Sequence, residues 1–319
     1  MKKLLSLLLS TALVLIVAFS AVGCSNPYEG QIAIFMPDGA PALAFAKLMH
    51  EDNQLGKENL TYNVVKADDI KNYIANGSAT AALMPVNLAV KLCGSGEKYK
   101  LLSVNTHGNL YGLSKQTPTD IESLKGKTVN VINLANVPGL TFKAILNSNN
   151  IPFTEDESEH TADNVLLKNA TTPAVGEDDY TIVPEPQASK VLSANAEVKN
   201  VFSLQQLWGT QSYPQAVLVV KSELAEDTQF CNALLSALEQ SAVWVKSNGA
   251  AAHAAISAHC IEGYATSLAP AVLTESAILG CNIKVVKAQD MKATIKDYME
   301  KINAVAPVSY GTPSDAFFL

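Results

Sequence analysis

Strand-like and helix-like runs alternate along this sequence, and the alternation starts over once. The first unit opens with residues 31–35 (Gln-Ile-Ala-Ile-Phe), an apolar run short enough for a buried strand. Met36-Pro37-Asp38-Gly39-Ala40-Pro41 then makes a turn, and an alanine-rich helix carries Leu43, Ala46 and Met49 at helical spacing as far as His50. Strands are predicted over 62–66, 79–84 and 100–106, the second stopped by Pro85, with helices over 68–75 and 86–92 between them. The second unit begins with a helical turn at 120–124 and a strand at 127–132. Its helix over 138–149 has Pro138 in the first turn and Asn136 as N-cap. A further strand ends in Ile182-Val183 before Pro184-Glu185-Pro186, a helix runs to about 192, and 197–203 reads as an edge strand or loop. Such alternation implies mainly parallel sheets wrapped by helices.

Two β-rich segments, 108–114 and 213–221, sit between these blocks. Beyond them the chain reads as helical to its end. Phe230, Leu234, Leu238, Ala242 and Val245 form one apolar stripe, and helices are expected at 250–258, 269–279 and 290–304. With no third sheet available, the last helices belong to the first unit, so the chain crosses between units twice. The expected fold is α/β, two lobes joined by a two-segment hinge. Residues 31–109 plus 216–319 would form lobe 1 and 110–215 lobe 2, with the cleft at the strand C-termini, where α/β sheets bind ligands.

Ahead of the lobes, Met1-Lys2-Lys3, the apolar stretch 4–21 and Val22-Gly23-Cys24 form a charged, apolar and small-residue sequence typical of an export signal. The signal is expected to occupy 1–23, with 24–30 a short tether. Cys24 after Gly23 resembles the bacterial lipobox, whose cysteine becomes acylated, although Ala21 stands where leucine is commonest. An uncleaved anchor is the alternative, since 18 mostly apolar residues can just span a bilayer. Either way the rest of the chain lies outside the cytoplasm. Removal of Lys2 and Lys3 leaves 21 lysines against 30 acidic residues, a net charge of −9, which argues against nucleic acid as a partner. Every basic residue apart from histidine is lysine. Without arginine, bidentate capture of carboxylates, sulfonates or phosphates is closed to this chain. Cys93, Cys231, Cys260 and Cys281 leave three full disulfide pairings open, and Cys260 with Cys281, in one helical region, is the favoured pair. The other reading is buried free thiols.

Several motifs carry a family resemblance. They are Leu124-Lys125-Gly126-Lys127-Thr128-Val129 at the entry to lobe 2, Asn136-Val137-Pro138-Gly139 at a helix start, Pro184-Glu185-Pro186-Gln187-Ala188 after a strand, and Tyr213-Pro214-Gln215-Ala216-Val217-Leu218 at the return crossing. In order and spacing they resemble the solute-binding lipoproteins of ABC importers, in the branch similar to thiamine-precursor, sulfonate and nitrate binders. The likeness covers residues 28–319. It implies a periplasmic-binding-protein-like (type II) fold and a monomer, lipid-anchored on the extracytoplasmic face, that delivers a small solute to a membrane permease without chemistry. Gly126-Lys127-Thr128 mimics the end of a P-loop, but Ile121 stands where that motif needs glycine. No Gly-x-Ser-x-Gly elbow or His-Glu-x-x-His pair is present, so an extracellular enzyme using Asp38 and Glu185 as acid and base is the weaker rival. A sensing or adhesion lipoprotein without transport is the other rival. No cofactor is called for.

Candidate ligand residues follow from the strand ends. Pro37, Asp38 and Gly39 close the first strand; Asp38 either caps the next helix or accepts from a ligand amine. Asn87 follows the third strand and offers both donor and acceptor. Thr106, His107, Asn109 and Tyr111 crowd the first crossing. Asn133 and the amides of Val137 to Leu140, with Asn136 and Gly139 between, could hold an anion at a helix N-terminus. Glu185 ends a strand toward the cleft, or else is a solvated turn carboxylate; Trp208 and Tyr213 could supply flat walls for a ring, with core packing the other reading of Trp208; and Gln215 lies at the return crossing. His107 has no second ligand at metal spacing, so no metal site is expected. Two carboxylates, several aromatics and no guanidinium favour a neutral or cationic nitrogen heterocycle such as a pyrimidine.

Overall fold

The computed structural model describes residues 27–118, 120–176, 180–209 and 212–319. The export signal, its cleavage position and Cys24 lie outside the described residues. In chain order the strands are β1 (Ile32–Pro37), β2 (Leu60–Val65), β3 (Ala81–Pro85), β4 (Tyr99–His107), β5 (Leu110–Ser114), β6 (Thr128–Ile132), β7 (Phe153–Thr154), β8 (Val165–Ala170), β9 (Tyr180–Pro184), β10 (Lys199–Ser203), β11 (Pro214–Lys221) and β12 (Ile283–Lys287). The helices that matter below are α1 (Ala40–Ala44), α2 (Val86–Cys93), α3 (Val137–Ser148), α4 (Gln187–Ala194), α5 (Thr228–Trp244), α6 (Glu275–Gly280) and α7 (Ala288–Asn303).

Two six-stranded sheets result, ordered β12-β4-β11-β3-β1-β2 and β10-β5-β9-β6-β8-β7. Consecutive strands β4 and β5 lie in different sheets, and the chain returns to the first sheet at β11. Among the described residues both sheets are mixed: the first is mainly antiparallel, while the second keeps three parallel pairs against two antiparallel ones. β1 pairs in parallel with β2 and β3, whereas β11 runs antiparallel to β3 and β4. In the second sheet β6 is parallel to β8 and β9, and β5 is antiparallel to β9. The reason lies in the crossings. β5 and β11 each start at the edge where their neighbours end, so they must run against them.

Apolar spacing accounts for α5. Phe230, Leu234, Leu238, Ala242 and Val245 are all buried against the first sheet's outer core. Each of the larger side chains contributes about 1.5–3 kcal/mol of burial. Asp227 caps this helix by accepting from the Phe230 N–H, and it also accepts from Lys57 and the Tyr28 N–H, tying the segment at Tyr28 to the start of α5. A second core runs through both sheets. It joins Leu101, Val104 and Val217 of the first to Val129, Val131 and Ile182 of the second, with Leu110, Tyr213 and Tyr298 between them. Among the described residues no helix is long and apolar enough to cross a membrane.

Four local expectations change. The C-terminal third contains a strand, β12, which pairs with the edge of β4. The helix expected over 269–279 is a 3₁₀ turn at Pro270–Val272 followed by α6, because the Thr274 side chain caps a new start at the Ala277 N–H. Cys260 and Cys281 are not paired. Both are free thiols, Cys260 bridging backbone with Val64 and Cys281 ending α6, where its carbonyl accepts from the Asn109 amide. Asn136 occupies the N-cap position of α3, but its side chain makes no cap bond.

Candidate functional site

A cleft of about 310 Å³ opens between the two sheets. That is the lower end of the range for small-molecule sites, about 300–1,000 Å³. The ends of β1, β3, β4, β6 and β9 reach it with Pro37, Pro85, Thr106, Ile132 and Pro184, and the start of β11 adds Gln215 and Ala216. Prolines and aliphatic side chains make most of the wall. Polar groups come from Asn109, Asn133, Asn136 and Gln187, with Asp68, Lys71 and Lys190 also lining it.

At the cleft floor the two crossings are tied together. The Gln215 amide donates to Asn109 Oδ1 at 2.6 Å, and the Asn109 N–H donates to Gln215 Oε1 at 3.2 Å. The Gly108 N–H donates to the Tyr213 carbonyl at 2.9 Å, and the Glu185 N–H donates to the Asn109 carbonyl at 3.0 Å. A Cβ on Gly108 would stand 2.7 Å from the Tyr213 ring, so only glycine lets the crossings touch.

The structure gives the two carboxylates protein partners. Asp38 does not cap α1, whose N-cap is Gly39 at φ 100°. Its carboxylate accepts instead from the Tyr264 hydroxyl at 3.0 Å, the Thr266 hydroxyl at 2.7 Å, and the Ser267 N–H and hydroxyl at 2.6 and 2.7 Å. Four donors on one carboxylate fasten the 264–267 loop to the end of β1. Glu185 is buried and accepts from the Ser189 N–H at 3.0 Å and the Ser189 hydroxyl at 2.8 Å. Burial pushes its carboxyl above the usual range, with the Ser189 bonds working the other way.

Of the residues named from the sequence, Pro37, Asp38, Gly39, Thr106, Asn109, Asn133, Asn136, Val137, Glu185 and Gln215 line the cleft. The other six lie outside the lining. Asn87 is wholly buried in α2, and neither amide atom has a partner. Gly139 is packed so that a Cβ would meet the Leu134 carbonyl oxygen, which marks a tight helix start rather than ligand contact. Trp208 and Tyr213 do not wall the cleft; they pack on each other and on Tyr298, with ring centroids 5.2–5.9 Å apart. Tyr111 donates its hydroxyl to the Gly280 carbonyl at 3.1 Å. The anion reading of the α3 start also narrows. Pro138 has no N–H, and the Leu140 N–H donates to the Asn136 carbonyl. The sequence reading missed Leu88, Lys190 and the segment from Ser267 to Leu273. No spacing in the chain marks that segment; its bonds from Ser267 to Asp38 hold it at the end of β1.

His107 is buried with its Nε2 3.0 Å from the Lys284 carbonyl. A carbonyl only accepts, so Nε2 carries the proton in the neutral ring. Burial lowers its pKa below 6.5, outweighing the carbonyl's pull upward. A depressed histidine contributes stability that is present above pH 6.5 and is lost as pH falls from 6.5 through the lower folded value. The guanidinium midpoint of the wild type is therefore expected to drop between pH 7.5 and 5.5, and His107→Gln should flatten that drop. Equal drops in both proteins would exclude His107 as the cause. Among the described residues no cluster of three His, Cys, Asp or Glu could hold a metal.

No family model and no curated protein matches this sequence. Solved structures do. An ABC transporter protein from Parabacteroides distasonis is 18% identical with a TM-score of 0.71, covering 91% of this chain and 98% of that one. The alkanesulfonate-binding protein from Xanthomonas axonopodis pv. citri, bound to MOPS, is 14% identical with a TM-score of 0.61, covering 91% and 99%. A Candida albicans protein described as having the generic periplasmic binding protein fold is 11% identical with a TM-score of 0.55, covering 90% and 93%. Two mixed sheets, two crossings and a cleft at the strand ends, matched along nearly the whole length of these structures, make this the periplasmic-binding-protein fold.

Proposed function

We propose that this chain is the solute-binding protein of an ABC importer, working outside the cytoplasm as a monomer. It captures a small organic molecule between lobe 1 (31–109 plus 216–319) and lobe 2 (110–215) and hands it to a membrane permease. Residues 1–23 are removed as the signal, and an acylated Cys24 keeps the clamp near that permease, raising its local concentration. The observation that carries this reading is the cleft itself, walled by strand ends of both sheets and floored by the Asn109–Gln215 pair at the crossings.

The solute is a neutral nitrogen heterocycle, with pyrimidines as the test class. Amides of Asn109, Gln215, Asn133 and Asn136 among proline and aliphatic walls suit a flat molecule with ring donors and acceptors. Asp38 and Glu185 already accept from protein donors, which removes the main support for a cationic group. No arginine is present to clamp a sulfonate or nitrate. A thermal-shift panel of pyrimidines, taurine and nitrate tests this, with native mass spectrometry of the protein as purified. Pyrimidine stabilisation of about 2.7 kcal/mol is expected at a hundredfold excess over Kd. Stabilisation by taurine or nitrate alone would sink the heterocycle, and a compound returned chemically altered would point to an enzyme.

A further inference from the structure

Besides the Tyr298 cluster at the return crossing, two further hydrogen-bonded contacts join the lobes among the described residues, and both come from the C-terminal third of the first lobe. One is a notch at Gly280, the last residue of α6. A Cβ there would stand 2.9 Å from Glu185 Cγ, 3.3 Å from Glu185 Oε1 and 3.3 Å from the Tyr111 hydroxyl. These three nearest atoms all belong to lobe 2, and the Tyr111 hydroxyl donates to the Gly280 carbonyl. The backbone at Gly280 is helical, so its bare Cα serves the approach of the lobes rather than an unusual turn.

The other contact is a strap. The Tyr310 hydroxyl donates to the Ala135 carbonyl at 3.0 Å, in the turn that brings Asn133 and Asn136 to the cleft. The chain on either side of Tyr310 is fastened to lobe 1. Asn303 accepts from the Tyr310 N–H at 2.8 Å and donates to the Gly311 carbonyl at 2.9 Å. The Ser314 N–H donates to the Gly94 carbonyl at 2.8 Å, and the Leu319 N–H to the Leu101 carbonyl at 2.9 Å. The Lys91 ammonium sits 5.5 Å from the centre of the Tyr310 ring. Tyr310 is thus a post fixed to one lobe that reaches the cleft wall of the other. Neither contact contributes to a sheet, and both must break for the lobes to part.

We infer that Gly280 and Tyr310 together form a two-point latch that sets the ratio of closed to open lobes before any solute arrives. Because each contact is weak, the ratio stays responsive, and a solute bridging the cleft shifts it further. Small-angle X-ray scattering of the ligand-free protein, residues 25–319, tests the latch directly. Tyr310→Phe removes one hydrogen bond and should move the ratio toward open by about fivefold. Gly280→Val wedges the notch and should open the lobes more, raising the radius of gyration and maximum dimension in both variants. Scattering curves of both variants that superimpose on the wild type overturn the latch. Should Gly280→Val fail to fold, Tyr310→Phe and the smaller Gly280→Ala decide the matter by the same criterion. No ligand enters the measurement, so its failure leaves the solute-binding reading untouched.

Discussion

Tyr298→Ala is expected to lower the unfolding free energy by about 4 kcal/mol, the range for deleting a large buried ring. Tyr298 is fully buried on α7, which packs on β4, β11 and β12 of the first sheet, yet its contacts reach α3 beside the second. Its hydroxyl pairs with the Thr141 hydroxyl of α3 at 2.8 Å, and its ring stacks on Tyr213 at the return crossing, 14° from parallel. Trp208 tilts against both rings, and the Lys301 ammonium lies 5.3 Å from its centre. One apolar core therefore runs from the first sheet to the second through this cluster. Urea unfolding of the wild type should be a single transition by circular dichroism and tryptophan fluorescence together. In Tyr298→Ala the shared core is interrupted and the two probes should separate into two transitions. Thr141→Val, which keeps the ring and removes one hydroxyl partner, should lose about 1–2 kcal/mol and keep one transition. A Tyr298→Ala protein that still unfolds in one step, with less than about 1 kcal/mol lost, would show that the cluster does not couple the lobes.

Much of the fold was legible because its signals are local. The apolar runs of β1, β3 and β4 are bounded by Pro37, Pro85 and Gly108, and the period of Phe230, Leu234 and Leu238 declares α5. Sheet polarity was not legible, because whether a strand runs with or against its neighbour depends on partners far along the chain. β12 escaped notice for a similar reason. Asn-Ile-Lys-Val-Val-Lys alternates weakly, lies between two helices, and becomes a strand only because the edge of β4 is open there. The disulfide expectation failed because the two cysteines serve different elements, Cys260 in a bridge with Val64 and Cys281 at the end of α6. Cys260 and Cys281 are close in sequence, but the turn at Pro270–Val272 and α6 lie between them.

The cleft was legible where it follows from strand ends and opaque where it follows from side-chain partners. Pro37, Thr106 and Glu185 could be placed because α/β sheets present their carboxyl ends to a cleft. Tyr213 and Trp208 could not, since a ring near a crossing serves a wall or a core equally well in sequence. Burial of Tyr213 against Tyr298 decides for the core. Nor could sequence reveal that the donors for Asp38 stand more than 220 positions away, at Tyr264, Thr266 and Ser267.

That carboxylate carries the second large effect. Asp38→Ala is expected to destabilise the chain by about 2–3 kcal/mol and to loosen one wall of the cleft. Charge-assisted bonds contribute about 1.5–3 kcal/mol each when buried, but this loop is partly exposed and water can replace some of the four. The segment Ser267–Leu273 supplies Ser267, Leu268, Ala269, Val272 and Leu273 to the lining, so slack at Asp38 reaches the ligand directly. Binding of a pyrimidine that stabilises the wild type should weaken on the order of 10²-fold, the affinity equivalent of that loss. Hydrogen exchange separates this from a general loss of stability. Amides from 264 to 273 should exchange faster in Asp38→Ala under native conditions, while those of β6 in the second sheet and of α3 keep wild-type rates. Asp38→Asn presents one acceptor oxygen where the carboxylate has two, so it should fall between the two proteins. Unchanged exchange across 264–273 in Asp38→Ala would show that the loop is held by its own packing, and would return Asp38 to the list of groups free to meet a ligand.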